Sequence, residues 1–312
     1  MHAEIFTTTE QGFAVTGLRT AGAELAMVPA LGGRVISLRN ARTGREWCWH
    51  QPRPDWLWAN APQDDFGRSP QAGMDECVPS VAACTWRGRV IPDHGEVWNQ
   101  AWTLDAAQLA AGRLSATVPL GVSPFVFQRS IRAGGPGAFV FEYALRNTGR
   151  LAEEYLWCAH PLLTIEAGDR LVLPSEVTTL RLNGGLGDRP IKLGDTWAYP
   201  EPFPGIRLDR LETLGMPHGC VKGFAGPLRP GMAVAAIANE ATGDRLEVRW
   251  DTSVNRYLGF WLNRGHGGFH HVAFEPTNGA PDSLAEAVGS WKQFSVIPAG
   301  ETVRWTVEWR VA

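Results

Sequence analysis

Lysine is almost absent from this sequence, and charged residues of every kind are few. Only Lys192, Lys222 and Lys292 occur, which we interpret as codon bias without functional meaning, and charged residues make up 20% of the chain. The 29 basic and 32 acidic side chains give a formal net charge of −3. A nucleic-acid-binding face driven by bulk charge needs a basic excess, so we expect no nucleic-acid partner.

Long apolar runs are also missing. No stretch approaches the roughly 18 apolar residues that a membrane-spanning helix needs. The N-terminus, MHAEIFTTTEQGF, lacks the basic region followed by an apolar region that marks a secretory leader. We therefore expect a cytoplasmic protein with no membrane partner.

Motifs for metals, disulfides and common cofactors do not occur. The five cysteines are scattered and include no CxxC pair, which argues against a disulfide framework and against a zinc ribbon. The dinucleotide-binding GxGxxG, the phosphate-binding GxxxxGKS/T, the serine-hydrolase GxSxG and the zincin HExxH patterns are absent. We expect neither a metal ion nor a cofactor.

Turn residues and short alternating segments are abundant instead. The chain has 35 glycines and 22 prolines, which favours many turns over long helices. Residues 302–311, TVRWTVEWRV, alternate apolar and polar side chains without a break, as a half-buried antiparallel strand does. We predict an all-β protein: one large antiparallel β-sandwich domain over residues 1–312, with few short helices.

Two other segments have distinct patterns. Asp282–Val288 is the one segment with a helical pattern, and Asp282 is its expected N-cap. Residues 40–80 are poor in strand pattern and rich in Trp and Pro, so we predict a long ordered loop that covers a small pocket. Further β-like runs are Glu24–Val28, Arg34–Arg39, Phe125–Arg132, 139–145, Met232–Ala238, 245–250 and His270–Glu275.

Three ionisable residues lie in apolar or turn-rich surroundings. His94 lies in IPDHGEVW, His160 lies in LWCAHPLL, and Glu275 ends the apolar run HHVAFE. An acidic side chain in such a run is costly unless it has a partner, and perturbed ionisable groups often mark sites. Taken singly, the structural interpretation is favoured for each of them over a catalytic one.

Taken together, these segments resemble the aldose 1-epimerase (galactose mutarotase-like) family. The resemblance rests on LGGRVISL at 31–38, QAGMDECVPS at 71–80, HG with downstream Trp at 94–102, AHPLL at 159–163, FEPTNGAPDSL at 274–284 and the closing VIPAGETVRWTVEWRV. It implies a β-supersandwich whose concave face holds a monosaccharide. It also implies that Glu275 is the general base, His160 the general acid, and His94 a contact to the sugar oxygens.

The chain departs from the phosphosugar branch of that family at one loop. That branch carries Arg where this chain has Gln71, and Asp75 and Glu76 follow here. Carboxylates there would repel a phosphate, so we expect Gln71, Asp75 and Glu76 to contact an unphosphorylated sugar; for the two carboxylates, a solvated turn is the structural alternative. Among the 14 tryptophans, Trp98, Trp157 and Trp261 lie nearest the candidate segments and could stack on the sugar, core packing being the alternative.

The predicted function is therefore mutarotation of a monosaccharide by a monomer or homodimer. Interconversion of anomers removes a proton from the C1 hydroxyl and gives one to the ring oxygen, which Glu275 as carboxylate and His160 as imidazolium would do. One alternative is a non-catalytic sugar-binding or regulatory protein of the same fold. Another is a sugar lyase or hydrolase that pairs Glu275 with Asp75 or Glu76. The identity of the sugar stays open.

Overall fold

The computed structural model describes residues 3–61, 64–186, 191–211 and 219–312. The strands are, in chain order, β1 Glu4–Glu10, β2 Phe13–Arg19, β3 Ala23–Val28, β4 Arg34–Asn40, β5 Met74–Cys77, β6 Cys84–Trp86, β7 Arg89–Ile91, β8 Thr103–Leu104, β9 Leu114–Pro119, β10 Phe125–Gly135, β11 Ala138–Asn147, β12 Glu153–Tyr155, β13 Cys158–Pro161, β14 Asp169–Val172, β15 Thr179–Leu186, β16 Thr196–Ala198, β17 Gly219–Ala225, β18 Met232–Asn239, β19 Arg245–Asp251, β20 Tyr257–Arg264, β21 His270–Thr277, β22 Ser295–Ile297 and β23 Thr302–Val311. The helices are α1 Ala106–Ala110, α2 Leu284–Glu286, a π-helical turn Ala287–Trp291, and 3-10 turns at Phe66–Arg68 and His266–Gly268.

Two large antiparallel sheets dominate the structure. The eleven-stranded sheet has the order β1-β2-β3-β4-β5-β13-β21-β20-β17-β15-β16, and the eight-stranded sheet has the order β14-β18-β19-β23-β11-β10-β9-β8. Large apolar side chains from both sheets meet in one buried cluster, which includes Trp157 of the segment before β13 and Trp309 of β23. The predicted antiparallel all-β sandwich is confirmed.

Alternation along the central strands separates core residues from site residues. Adjacent side chains of a strand point to opposite faces. Ala159 and Phe274 pack in the core cluster, so their neighbours His160 and Glu275 point to the outer face of the eleven-stranded sheet. Because β5, β13, β21, β20 and β17 lie side by side, residues distant in sequence meet on that outer face.

The segment 40–80 is not a loop throughout. Met74–Cys77, MDEC, forms β5 near the centre of the eleven-stranded sheet, with all four residues buried. Two consecutive acidic residues hide this strand from a pattern search, because buried strands are normally recognised by apolar side chains. The loop prediction was wrong for these four residues.

The helix near residue 284 also begins later than predicted. Ser283 is the N-cap of α2, and its hydroxyl accepts the Glu286 backbone N–H at 3.4 Å. The backbone then continues as the π-helical turn to Trp291. Asp282 is not the cap; its carboxylate points to the candidate site described next.

Candidate active site

A cavity of about 540 Å³ lies on the outer face of the eleven-stranded sheet. His94, His160 and Trp261 line it, and so do Lys222 and Asp282. A second hollow, of about 630 Å³, lies against the eight-stranded sheet and is lined by none of the residues that the sequence singled out. The chemistry-bearing residues therefore converge on the first cavity.

Glu275 lies directly behind the side chains that line this cavity and is completely buried. The Lys222 ammonium donates a very short hydrogen bond to its Oε2, and the Cys158 thiol lies 3.6 Å from the same oxygen. The other oxygen, Oε1, accepts no hydrogen bond from any residue that the structure describes, and it lies 3.9 Å from His160 Nε2. One carboxylate oxygen is thus occupied, and the other is free beside an imidazole.

Lys222 connects Glu275 to a second carboxylate. Its Nζ lies 3.5 Å from Asp282 Oδ1, while Asn183 donates to Asp282 Oδ2 at 2.8 Å. Sequence reasoning missed both Lys222 and Asp282. The available signal was a lone lysine in an otherwise uncharged segment, GCVKGFA, of a chain that has only three lysines.

Two histidines face each other across one end of the cavity. The rings of His94 and His160 meet edge to face, with centroids 4.8 Å apart. His94 stacks on Phe66 with centroids 3.7 Å apart, and its Nδ1 lies 3.1 Å from Asp93 Oδ1. The structure thus brings together His94, His160 and Glu275, which are far apart in sequence.

Aromatic rings form the opposite wall. The Trp261 indole donates to His271 Nε2 at 3.0 Å, so this nitrogen is the acceptor of a neutral imidazole. Trp49 and Phe269 pack against the same imidazole, with ring centroids 4.7 and 6.3 Å away. A wall of this kind offers apolar faces to the C–H side of a sugar ring.

Burial shifts the ionisation of the site residues. Burial raises the pKa of Glu275, and the adjacent Lys222 ammonium opposes that rise. Burial, reinforced by the charges of His94 and Lys222, lowers the pKa of His160 far below its usual range. Burial therefore favours the neutral imidazole over the imidazolium that the sequence predicted, because the ring has too little solvent to stabilise a charge.

Comparison with models of protein families gave no match, and comparison with curated protein sequences gave none either. Solved structures do match over the whole chain. A galactose mutarotase-like protein from Lactobacillus casei ATCC 334 is 16% identical, with a TM-score of 0.67 and coverage of 99% of this chain and 100% of that one. The chain has the galactose mutarotase-like fold.

Other structures agree. A galactose mutarotase-like protein from Clostridium acetobutylicum has 15% identity, a TM-score of 0.66 and coverage of 99% of this chain and 98% of its own. A protein of Escherichia coli K12, provisionally described as an aldose 1-epimerase, has 15% identity, a TM-score of 0.65 and coverage of 100% and 99%. At these identities the likeness establishes the mutarotase-like fold and leaves activity to be argued from the site.

Within this mutarotase-like fold, Asp75 and Glu76 lie on opposite faces of β5. Asp75 is buried beneath the cavity and accepts a hydrogen bond from Arg34 Nε at 2.8 Å. Glu76 points into the core and accepts from Arg129 at 2.9 Å and from Tyr143 at 3.0 Å. Neither carboxylate lines the cavity, and each is neutralised by an arginine.

The other predicted sugar contacts fall into two groups: some line the cavity, and the others are buried. Gln71 and Trp261 line the cavity, and the Gln71 amide donates to Ser69 Oγ at 3.2 Å. Trp157 is fully buried in the core, and its indole donates to Glu76 at 2.9 Å. Trp98 is also buried, and it supports Phe66 edge to face with ring centroids 5.1 Å apart.

The segment 40–80 contributes Phe66, Gly67 and Gln71 to the cavity wall, while residues 62 and 63 lie outside the described part of the chain. No group of three or more His, Cys, Asp or Glu side chains is arranged for a metal ion in the ranges that the structure describes. No helix of those ranges is long and apolar enough to cross a membrane.

Proposed function

We propose that this protein is a mutarotase that interconverts the α and β anomers of a monosaccharide. One observation carries the proposal: the free oxygen of Glu275 lies 3.9 Å from His160 Nε2 at the wall of a cavity. Two atoms this far apart can reach the C1 hydroxyl and the ring oxygen of one sugar, which are bonded to the same carbon, since hydrogen bonds are about 2.8 Å long. The galactose mutarotase-like fold supports the same reaction class.

Glu275 is the proposed base. Its Oε1 takes the proton of the C1 hydroxyl, the C1–O bond gains double-bond character, and the bond from C1 to the ring oxygen breaks. Rotation about C1–C2 followed by the reverse transfers closes the ring as the other anomer. A carboxylate whose pKa is raised by burial is a stronger base than one in water, which suits this step.

His160 is the proposed proton donor. A neutral imidazole is a weak acid, but the departing ring oxygen is an alkoxide, which is basic enough to take its proton. Enzymes use neutral histidine in this electrophilic role where an imidazolium would be too costly to maintain. His94, which meets His160 edge to face, is placed to contact a sugar hydroxyl beside it.

Glu275 lies one side chain behind the cavity wall. It is completely buried, whereas its neighbours His160 and Lys222 line the cavity. Proton transfer therefore requires the side chain of His160 or Lys222 to shift on sugar binding, so that a hydroxyl reaches Oε1. A small side-chain shift of this kind is common when a ligand enters a preformed site.

The charges of the cavity favour an uncharged sugar. Asp93 and Asp282 line it, Glu275 lies behind it, and Lys222 is the cation placed among the latter two. Among the residues that the structure describes, a phosphate or carboxylate would meet net negative charge here, which disfavours binding. The sequence predicted that Asp75 and Glu76 would repel a phosphate. Because these two carboxylates are paired with arginines, the repulsion comes instead from the acidic side chains at the cavity.

The test is turnover of a panel of aldoses, measured by polarimetry or by NMR exchange between anomers. For the best substrate, Glu275→Gln should lower kcat by about 10²-fold or more, because an amide cannot accept the proton. Sugar affinity should change little, since glutamine keeps the shape of the side chain. Glu24→Gln, at a partly exposed carboxylate on β3, is the matched control and should leave kcat unchanged.

Three results would contradict the proposal. The first is near-normal turnover by Glu275→Gln. The second is sugar binding by the wild-type protein without faster mutarotation, which would favour a non-catalytic binding protein. The third is cleavage of an oligosaccharide; the pairing of Asp75 and Glu76 with arginines gives such a two-carboxylate reaction no support.

A further inference from the structure

Lys222 has the position of a functional residue. It lies on β17 with its side chain 9% exposed, at the wall of the cavity, and its ammonium contacts both Glu275 and Asp282. Asn183 fixes Asp282 from the other side at 2.8 Å. A buried lysine surrounded in this way keeps its charge, since the attraction of the two carboxylates outweighs the cost of burial and raises its pKa.

We propose that Lys222 is the positioning residue of the base: it occupies Oε2 of Glu275, leaves Oε1 as the free acceptor beside His160, and keeps this buried carboxylate ionised. The inference rests on the proposed function for its catalytic meaning. The arrangement of the side chains carries it, because the Lys222 ammonium and the Cys158 thiol both contact Oε2, whereas Oε1 has no hydrogen-bond partner among the described residues.

An isolated carboxylate at this position would be neutral. Moving a charge into a low-dielectric interior costs several kcal/mol unless a partner offsets it, so an unpaired group takes up a proton instead. Glu275 has no solvent exposure. A protonated Glu275 could not accept the proton of a sugar hydroxyl, so an adjacent cation is a requirement of the mechanism.

No other side chain takes this role among the described residues that face Glu275. The facing titratable groups are Cys77, Cys158, His160 and Asp282. Burial keeps the thiols and the imidazole neutral, and Asp282 adds negative charge. Lys222 is the cation in contact with Glu275 in this set.

The deciding experiment measures the protonation of Glu275 directly. The infrared spectrum of the protein minus that of Glu275→Gln isolates the Glu275 carboxyl group. The same difference is then taken in the Lys222→Met background. We expect the carboxylate band in the wild-type pair at pH 7 and the protonated carboxyl band in the Lys222→Met pair, with its titration moved up by about one to three pH units.

Turnover gives the second readout. In Lys222→Met, kcat/KM at pH 7 should fall by about 10- to 10²-fold, because only the ionised fraction of Glu275 is active, and should recover as the pH rises. Lys222→Arg retains the charge and should keep Glu275 ionised. Lys192→Met, at an exposed lysine, should match the wild type in both readouts. If Lys222→Met does not fold, Lys222→Gln replaces it.

The outcomes separate the two proposals. If Glu275 titrates at the same pH with and without Lys222, the role of Lys222 is wrong whatever the turnover. If the infrared shift appears but the wild type turns over no aldose, the mutarotase proposal is contradicted. The proposal that Lys222 keeps Glu275 ionised is then still supported. A loss of kcat in Lys222→Met that does not recover at high pH would also contradict the role proposed for Lys222.

Discussion

Gly259 shows how closely the site depends on single residues. It lies directly opposite Glu275 in the register of β20 and β21. A Cβ built at Gly259 would be 2.4 Å from Glu275 Oε2 and 3.2 Å from Glu275 Cβ. The absence of a side chain therefore provides the space in which the carboxylate meets Lys222.

Gly259→Ala should misplace the base without unfolding the protein. The methyl group would push the carboxylate away from Lys222, and a displacement of about 1 Å can reduce a rate by about 10²-fold. We expect a lower kcat, a nearly unchanged KM and a small change in the thermal midpoint. Gly289→Ala is the control, because its added Cβ would meet no atom of the described residues within 4 Å outside its own helical turn. Unchanged kcat in Gly259→Ala would show that the carboxylate tolerates displacement.

At the scale of residues, the motifs of the resemblance contain side chains that meet at the cavity and also Asp75 and Glu76, which do not line it. The resemblance identified His94, His160 and Glu275, and the structure brings them together, while their catalytic roles stay predictions. Lys222 has no motif, since its partners come from β21 and from the segment before α2. The role proposed for Lys222 depends on contacts between segments that are distant in sequence, and no local sequence pattern predicts such contacts.

At the scale of elements, β5 decides which predicted carboxylates face the cavity. Its two acidic residues are adjacent, so the alternation of the strand sends Glu76 into the core and Asp75 to the outer face. In the core, Glu76 accepts hydrogen bonds from Arg129, Tyr143 and Trp157. The bonds from Arg129 of β10 and Tyr143 of β11 link the eleven-stranded sheet to the eight-stranded one.

Glu76→Gln should therefore reduce stability and leave sugar binding unchanged. It breaks a buried ion pair and leaves Arg129 as an uncompensated charge, which typically costs about 3–5 kcal/mol of unfolding free energy. Chemical denaturation measures that loss, and KM for the best sugar measures binding. Glu24→Gln, in a partly exposed ion pair, should cost less than about 1 kcal/mol. A higher KM at unchanged stability would instead mean that Glu76 contacts the sugar.

At the scale of the whole molecule, the sequence predicted the fold class better than the arrangement of strands. Uninterrupted alternation identified β23 with its observed bounds, Thr302–Val311. The neighbours β5, β13 and β21 bring together residues near positions 75, 160 and 275, and these pairings join strands far apart in the chain. Period-two patterns fix which face a side chain occupies but not which strand lies beside it.

The buried His271 in the aromatic wall of the cavity should make the unfolding free energy depend on pH. His271 is almost fully buried among Trp49, Trp261 and Phe269, and burial lowers its pKa to about 3. In the unfolded chain a histidine has a pKa of about 6.5. Between pH 6.5 and pH 3 the unfolded chain binds a proton at His271 that the folded protein does not bind. The contribution of the neutral His271 to the unfolding free energy is therefore fully present above pH 6.5 and is lost as the pH falls toward 3.

His271→Gln removes this contribution and isolates it. We expect the unfolding free energy of the wild type minus that of His271→Gln to be constant above about pH 7 and to fall by up to about 1.4 kcal/mol per pH unit below about pH 6. Urea denaturation at half-unit steps from pH 8 to pH 4.5 measures the difference, and His50→Gln, at an exposed histidine, controls for the loss of an imidazole. A difference that stays flat over this range would mean that His271 is protonated in the folded protein as readily as in the unfolded chain, and the aromatic wall would then carry a charge facing the sugar.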